Sequence, residues 1–264
     1  MLFNAHDGAA AHRTFRSDCL SELPILVTGA SSGIGRQAAI AFAALGAKAI
    51  LIGRDSERLK AAAAAAGPTA EIMEVDLADD EAASLCVRNA ADRHGGLHGI
   101  FHCAGIGGVA PTRLLKRAYI DQVFGAAVFG AFGLARGASR KGAMRDGGSI
   151  AFMTSIMGKR GRQGLATYSA AKAAVAGLTR SLAVELAPRR IRVNSVAAGA
   201  VQTEMHEQVS ENLSGSMMAS YEALHPMGFG RVEDVVDAGV YLMSDASRWV
   251  TGIDLSVDGG YAAK

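Results

Sequence analysis

Tyr168 and Lys172 stand four residues apart in the run Thr167-Tyr-Ser-Ala-Ala-Lys172, and Ser155 lies thirteen residues before the tyrosine, behind an apolar stretch that reads as a strand. A helix brings positions i and i+4 onto one face, so the ammonium stands beside the phenol and favours its ionised form. A free tyrosine titrates near pH ~10, and each unit of lowering corresponds to about 1.4 kcal/mol. Bringing it towards neutrality takes roughly 4 kcal/mol, within reach of a nearby ammonium acting with a cationic ring. Such a phenol serves as general acid or base on a carbonyl or alcohol, with the serine hydroxyl beside it.

By itself Tyr-x-x-x-Lys is common on helices, where most copies serve packing or surface. The N-terminal region gives it weight. Pro24-Ile-Leu-Val27 runs into Thr28-Gly-Ala-Ser-Ser-Gly-Ile-Gly35, and the helical pattern Arg36-Gln-Ala-Ala-Ile-Ala-Phe-Ala-Ala-Leu45 follows. The reading is strand, glycine turn, helix. Gly29, Gly33 and Gly35 let the backbone turn tightly and approach a pyrophosphate, whose charge the helix N-terminus favours. Ser31 and Ser32 add hydroxyl donors.

With these motifs in this order and spacing, the chain resembles the classical short-chain dehydrogenase/reductase family, the 3-oxoacyl-carrier-protein reductases among them, from about residue 22 to 261. The resemblance implies hydride transfer between a nicotinamide cofactor and a carbonyl or secondary alcohol. It assigns catalysis to Ser155, Tyr168 and Lys172, with Tyr168 exchanging the proton, Ser155 bonding the substrate oxygen and Lys172 serving both phenol and nicotinamide ribose. It assigns Gly29, Ser31, Ser32, Gly33, Ile34 and Gly35 to the cofactor, and Asp76 with Leu77 to its adenine. Ala104 and Gly105 approach the ribose, and Gly199, Val201 and Thr203 flank the carboxamide. For Asp76 the competing role is a cap on the helix starting near Asp79.

Three positions depart from the family pattern. Cys103 replaces an asparagine that ties neighbouring strands, Ala198 replaces a proline, and Ala127 replaces an asparagine that helps hold a water connecting the lysine to solvent. Alanine offers no side-chain hydrogen bond. These departures keep open an alternative, a cofactor-binding regulatory or scaffold protein with weakened or lost catalysis.

Cofactor choice turns on Ile50-Leu-Ile-Gly-Arg54-Asp55, because the acid that would hold the ribose hydroxyls of NAD is replaced by Gly53. Arg54 follows and suits a 2′-phosphate, so NADP is expected, with NAD the alternative and a solvated arginine on adenine the competing role.

Apolar runs near 24–28, 48–53, 71–75, 98–103, 148–154, 191–197 and 253–257 alternate with helical patterns, which predicts a single-domain α/β fold of the Rossmann type. Its parallel sheet would be doubly wound, with about seven strands and helices on both faces. The domain is expected over 23–264, after a leader at 1–22 that is polar and lacks a secretory core. A helix is expected over Tyr119–Gly130. A substrate lid is expected near 203–229, where Met205, Met217, Met218 and Met227 accompany Tyr221, Leu224 and Phe229, although methionine more often serves packing. Met157, Arg160, Arg162 and Gln163 lie between serine and tyrosine and would approach the pocket.

The chain has 264 residues, half of them apolar, and a formal charge of +2 without a long basic run. It therefore gives no basis for a nucleic-acid partner. No stretch of eighteen consecutive apolar residues marks a membrane span. Cys19, Cys86 and Cys103 lack metal-ligand spacing and suit reduced thiols in a cytoplasm. His102, His206 and His225 form no metal motif and read as structural or exposed. Small residues at 170, 171, 173, 174 and 177 on the tyrosine helix suit close helix packing, and the resemblance implies a homotetramer.

Overall fold

The computed structural model describes residues 15–210 and 215–263, with side chains of 208–210 and 215–217 left aside. Seven strands form one parallel sheet: β1 (Pro24–Thr28), β2 (Lys48–Gly53), β3 (Glu71–Glu74), β4 (Leu97–His102), β5 (Met144–Ser155), β6 (Arg192–Ala198) and β7 (Asp254–Val257). Their order is β3-β2-β1-β4-β5-β6-β7, so the direction of winding reverses between β1 and β4. A doubly wound sheet opens its ligand crevice at that reversal. The central strands are apolar at consecutive positions because both faces are covered.

Nine α-helices accompany the sheet among the described residues: α1 (Gly33–Ala44), α2 (Ser56–Ala66), α3 (Asp80–His94), α4 (Arg117–Phe124), α5 (Gly130–Ala138), α6 (Ala166–Leu186), α7 (Glu204–Ser210), α8 (Gly215–Glu222) and α9 (Val232–Met243). The pleat divides the core. Ile25, Val27, Leu51 and Phe101 pack with α1, α2 and α9, while Leu26, Ile50, Ile100 and Phe152 pack with α3, α5 and α6.

Two boundaries differ from the sequence expectation. Part of the predicted leader belongs to the fold: Leu20 is fully buried, and Phe15 and Cys19 pack beside it. The Leu20 N–H donates to the Leu45 carbonyl at 3.1 Å and the Glu22 N–H to the Gly46 carbonyl at 2.9 Å. The rest of that leader lies outside the described residues. The expected helix over 119–130 is also interrupted, by a π-turn at Gly125–Phe129. On a regular α-helix of 3.6 residues per turn, Gly125 and Gly130 would face different ways; i→i+5 bonding returns them to one face. Both then meet the segment after β3: a Cβ on Gly125 would lie 3.0 Å from the Ala78 methyl, and one on Gly130 2.8 Å from the Leu77 carbonyl.

The run Arg117–Ala138 is long and apolar enough to cross a membrane by length and composition, yet half of that window is buried in the fold. It packs as a core helix against α3. Gly133 makes this contact close, since a Cβ there would strike the Asp80 carbonyl and approach the Ala83 methyl to 2.8 Å. Gly133→Ala is therefore expected to lower stability by about 1–3 kcal/mol, although alanine favours a helix by ~1 kcal/mol. Urea unfolding measures this, and an unchanged or raised midpoint would contradict the packing.

Candidate active site

Ser155 closes β5 beside Ala198 at the end of β6, and Tyr168 and Lys172 occupy the first two turns of α6. The Ser155 hydroxyl accepts from the Met157 N–H at 3.2 Å, lies 3.4 Å from the Ala198 carbonyl and acts electrostatically on the Tyr168 phenol. Lys172 is buried, its Nζ donating to the Met153 carbonyl at 2.9 Å and lying 5.7 Å from the Tyr168 ring centroid. The three predicted residues thus converge at the carboxyl edge of the sheet.

Their electrostatics differ in one respect from the sequence expectation. Burial pushes the phenol up, the Ser155 hydroxyl opposes this, and Tyr221 adds to the rise. The lowering expected from Lys172 is not seen: removal from water dominates, and the opposing effect comes from Ser155. Burial pulls the ammonium itself down to about 8, against a smaller upward effect of Cys103.

The glycine turn lies next to this group. Gly29 and Gly33 adopt φ of 63° and 51°, in the region that favours glycine. Gly35 packs on the Gly29 carbonyl with no room for a Cβ, and a Cβ on Gly29 would stand 2.9 Å from the Ala104 nitrogen. Ser32 caps α1 without a side-chain hydrogen bond, and the first turn carries no acid. The amides at this helix start thus remain available to an anion, and the donor set fits a dinucleotide pyrophosphate. Ser31 is part of the same turn, and Ile34 packs into the core beneath it. A Cβ on Gly105 would lie 3.5 Å from Lys172 Nζ and 3.7 Å from the Ala127 methyl, so the loop after β4 runs past the lysine.

On the adenosine side, Arg54 and Asp76 are both exposed, with Nη1 and Oδ2 4.0 Å apart. Asp76 accepts from the Ala78 N–H at 3.0 Å. The cap on α3 is Asp79, whose carboxylate accepts from the Ala82 N–H, so Asp76 does not have the capping role. Leu77 is buried. On the opposite side, Gly199 packs against Asp258, and Val201 bridges Gly230. The Thr203 hydroxyl donates to the Val201 carbonyl at 3.3 Å and accepts from the His206 N–H at 3.2 Å.

His102 has a larger part than the sequence suggested. Thr28 Oγ1 accepts from the Cys103 and Ala104 N–H groups at 3.1 and 3.2 Å, leaving its proton for His102 Nδ1 at 2.8 Å. The opposite nitrogen, Nε2, then carries the ring proton and donates to the Ala127 carbonyl at 3.3 Å. Burial, reinforced by nearby Lys172, pulls His102 down to about 4 and keeps it neutral. This chain supplies a tie between β1 and β4 without the asparagine missing at 103, and anchors the π-turn at 127. Burial pushes the Cys103 thiol well up, in keeping with a structural residue.

The family model described as enoyl-(acyl carrier protein) reductase matches residues 29–262. The chain belongs to the short-chain dehydrogenase/reductase family. It is 35% identical over 256 residues to 2-(S)-hydroxypropyl-CoM dehydrogenase 3 of Xanthobacter autotrophicus, covering 94% of this chain and 99% of that one. It is 32% identical over 242 residues to a 3-oxoacyl-acyl-carrier-protein reductase of Aquifex aeolicus, covering 89% and 95%. A short-chain type dehydrogenase/reductase from Mycobacterium marinum shares the fold with a TM-score of 0.85 and 33% identity, covering 94% of this chain and 98% of that one. The protein is accordingly an NAD(P)-dependent oxidoreductase of alcohol or carbonyl groups.

In this short-chain dehydrogenase/reductase, the predicted lid contains α7 and α8. Met205 closes on Gly107, where a Cβ would lie 2.9 Å from its sulfur, whereas Met227 is exposed. Met218 is half-buried; the side chain of Met217 lies outside the described residues. His206, Tyr221, His225 and Phe229 form an aromatic cluster, beside exposed Leu224. The Arg162 guanidinium covers Tyr221 at 4.1 Å, while Arg160 donates to the Ala262 carbonyl. Met157 is buried and Gln163 exposed.

The buried ammonium generates a test. Unfolded Lys172 keeps its proton up to the ordinary 10.5, whereas the native residue releases it near 8. Between those values the unfolded chain binds more protons, so this group makes stability rise with pH across the window, and its full penalty applies below it. Lys172→Met should unfold at a higher urea concentration than wild type at pH 7, and the difference should shrink towards pH 10. A difference constant with pH would mean that the ammonium is hydrated.

Proposed function

We propose that the protein reduces a carbonyl with NADPH, or oxidises the corresponding secondary alcohol with NADP, using Tyr168 as general acid or base. The observation that carries this reading is the convergence of Ser155 at the end of β5 with Tyr168 and buried Lys172 on the first two turns of α6. In reduction, Tyr168 gives its proton to the substrate oxygen while Ser155 donates a hydrogen bond to the same atom. Lys172 stabilises the phenolate left behind and holds the ribose side of the cofactor, and solvent returns the proton. The nicotinamide, when bound, supplies the hydride that the carbonyl carbon gains. The glycine turn with Ser31, Ser32 and Ile34 holds the pyrophosphate. Asp76 and Leu77 hold the adenine, Ala104 and Gly105 approach the ribose, and Gly199, Val201 and Thr203 flank the carboxamide.

A buried lysine bonded to a backbone carbonyl weakens the fold, and perturbed electrostatics of this kind cluster where chemistry occurs. That supports catalysis over the scaffold alternative, as does the anchoring of Ala127 through its backbone. NADP is supported by Gly53, where a Cβ would come within 3.3 Å of Leu59, and by exposed Arg54 beside it. Free Cys19, Cys86 and Cys103 suit a cytoplasmic location. Exposed Phe129, Phe132 and Val184 on the α5 and α6 side support a homotetramer.

Tyr168→Phe is expected to keep NADPH affinity within a few-fold while lowering kcat by about 100-fold or more, because the ring still packs and the proton is lost. Turnover of a carbonyl panel, followed by absorbance of reduced nicotinamide, tests this; retained turnover would remove Tyr168 from the reaction. Arg54→Ala is expected to weaken NADP(H) by roughly ten- to a hundredfold and NAD(H) little, since only the former offers a 2′-phosphate to the guanidinium. Calorimetric titration with both cofactors reads the ratio, and an unchanged preference would leave Arg54 a surface charge.

A further inference from the structure

Arg58 lies in the first turn of α2, four residues after Arg54, on the side of the crevice that follows β2. Its backbone N–H caps onto Asp55 at 3.0 Å, while its guanidinium reaches away from that helix. Nη2 donates to both carboxylate oxygens of Glu204, at 2.8 and 2.7 Å. Glu204 opens α7, directly after Thr203, and a Cβ on Gly33 would lie 3.7 Å from the Thr203 methyl. The pair therefore connects the adenosine wall to the start of the lid beside the glycine turn, joining residues 146 apart in the chain.

Two properties make this contact exchangeable. Both side chains are about half exposed, with 47% and 56% of their surfaces accessible, and ion pairs in such settings are weak. A phosphate offers a guanidinium more charge and more acceptor oxygens than one carboxylate does. The start of α1 carries no acid that would repel such a group.

We propose that Arg58 is a ligand for a cofactor phosphate and that Glu204 competes with that phosphate for the same guanidinium. Occupation of the site exchanges one anion for another on Arg58 and releases the first residue of α7 from α2. This rests on the reading of the glycine turn as a dinucleotide site. The phosphate is either the pyrophosphate, shared by both nicotinamide cofactors, or the 2′-phosphate of NADP.

The test is calorimetric titration of wild type, Arg58→Gln, Glu204→Gln and the double variant with NADP, NAD and 2′,5′-ADP. Glu204→Gln should tighten binding about three- to tenfold, Arg58→Gln should weaken it about tenfold, and the double variant should match Arg58→Gln, because Glu204 then has nothing to withhold. Effects on both dinucleotides identify the pyrophosphate, and effects on NADP and 2′,5′-ADP alone identify the 2′-phosphate. If wild type binds a dinucleotide but all four proteins bind it equally, or if the two substitutions act additively, the exchange is refuted while the dinucleotide site stands. Wild type binding none of the three would overturn both.

Discussion

The Thr28 hydroxyl is the point on which the site depends. It collects the Cys103 and Ala104 N–H groups and passes its proton to His102, so one side chain fixes β1 to β4 where the winding of the sheet reverses. The glycine turn leaves β1 one residue later, and the Ala104–Gly105 segment leaves β4 alongside it. Both walls of the crevice thus originate at one buried oxygen. Fully satisfied polar networks of this kind specify a geometry more sharply than apolar packing does. Through His102 the same network reaches the Ala127 carbonyl and the π-turn bordering Lys172.

Lys172 imposes the opposite condition. A buried ammonium lowers stability, and here its observed partner is a backbone carbonyl rather than a carboxylate. Retaining it requires a rigid surround: β5 on one side, the Gly105 segment on another and the π-turn on a third. Burial that keeps Tyr168 protonated also keeps it ready to give a proton, whereas withdrawing one from an alcohol needs the phenolate. The balance between these directions lies with charges brought beside the phenol, to which the raised Tyr168 is more responsive in a dry setting than it would be in water.

Much of this was legible in the sequence because it is local. Consecutive apolar runs marked the strands, and glycine spacing marked the first turn, since close backbone approach leaves few alternatives. Periodicity put Ser155 after a strand and Tyr168 and Lys172 on one helix face, and the family resemblance supplied their expected roles. Features that depend on the meeting of distant segments were not legible. His102 resembles any apolar-flanked histidine until Thr28 and the π-turn close around it. The π-turn itself arises because Gly125 and Gly130 must both face Leu77 and Ala78, and helix periodicity alone predicts a regular continuation. The direction of the Tyr168 shift depends on how completely the segments packed around it exclude water. Leu20 reads as part of a polar leader, and only the corner formed by Leu45 and Gly46 reveals its place in the core.

The central position of β1 also shapes how the chain reaches its native state. Thr28 and His102 are 74 residues apart, so the strand that anchors the crevice waits for its second partner until β2, α2, β3 and α3 have been synthesised. During that interval Ile25, Leu26 and Val27 present an open parallel edge with apolar side chains on both faces, a surface prone to mispairing. Non-local parallel pairing is slow for the same reason. The residues that organise the crevice are therefore secured only once β4 has emerged, and until then β1 has greatest need of protection from aggregation.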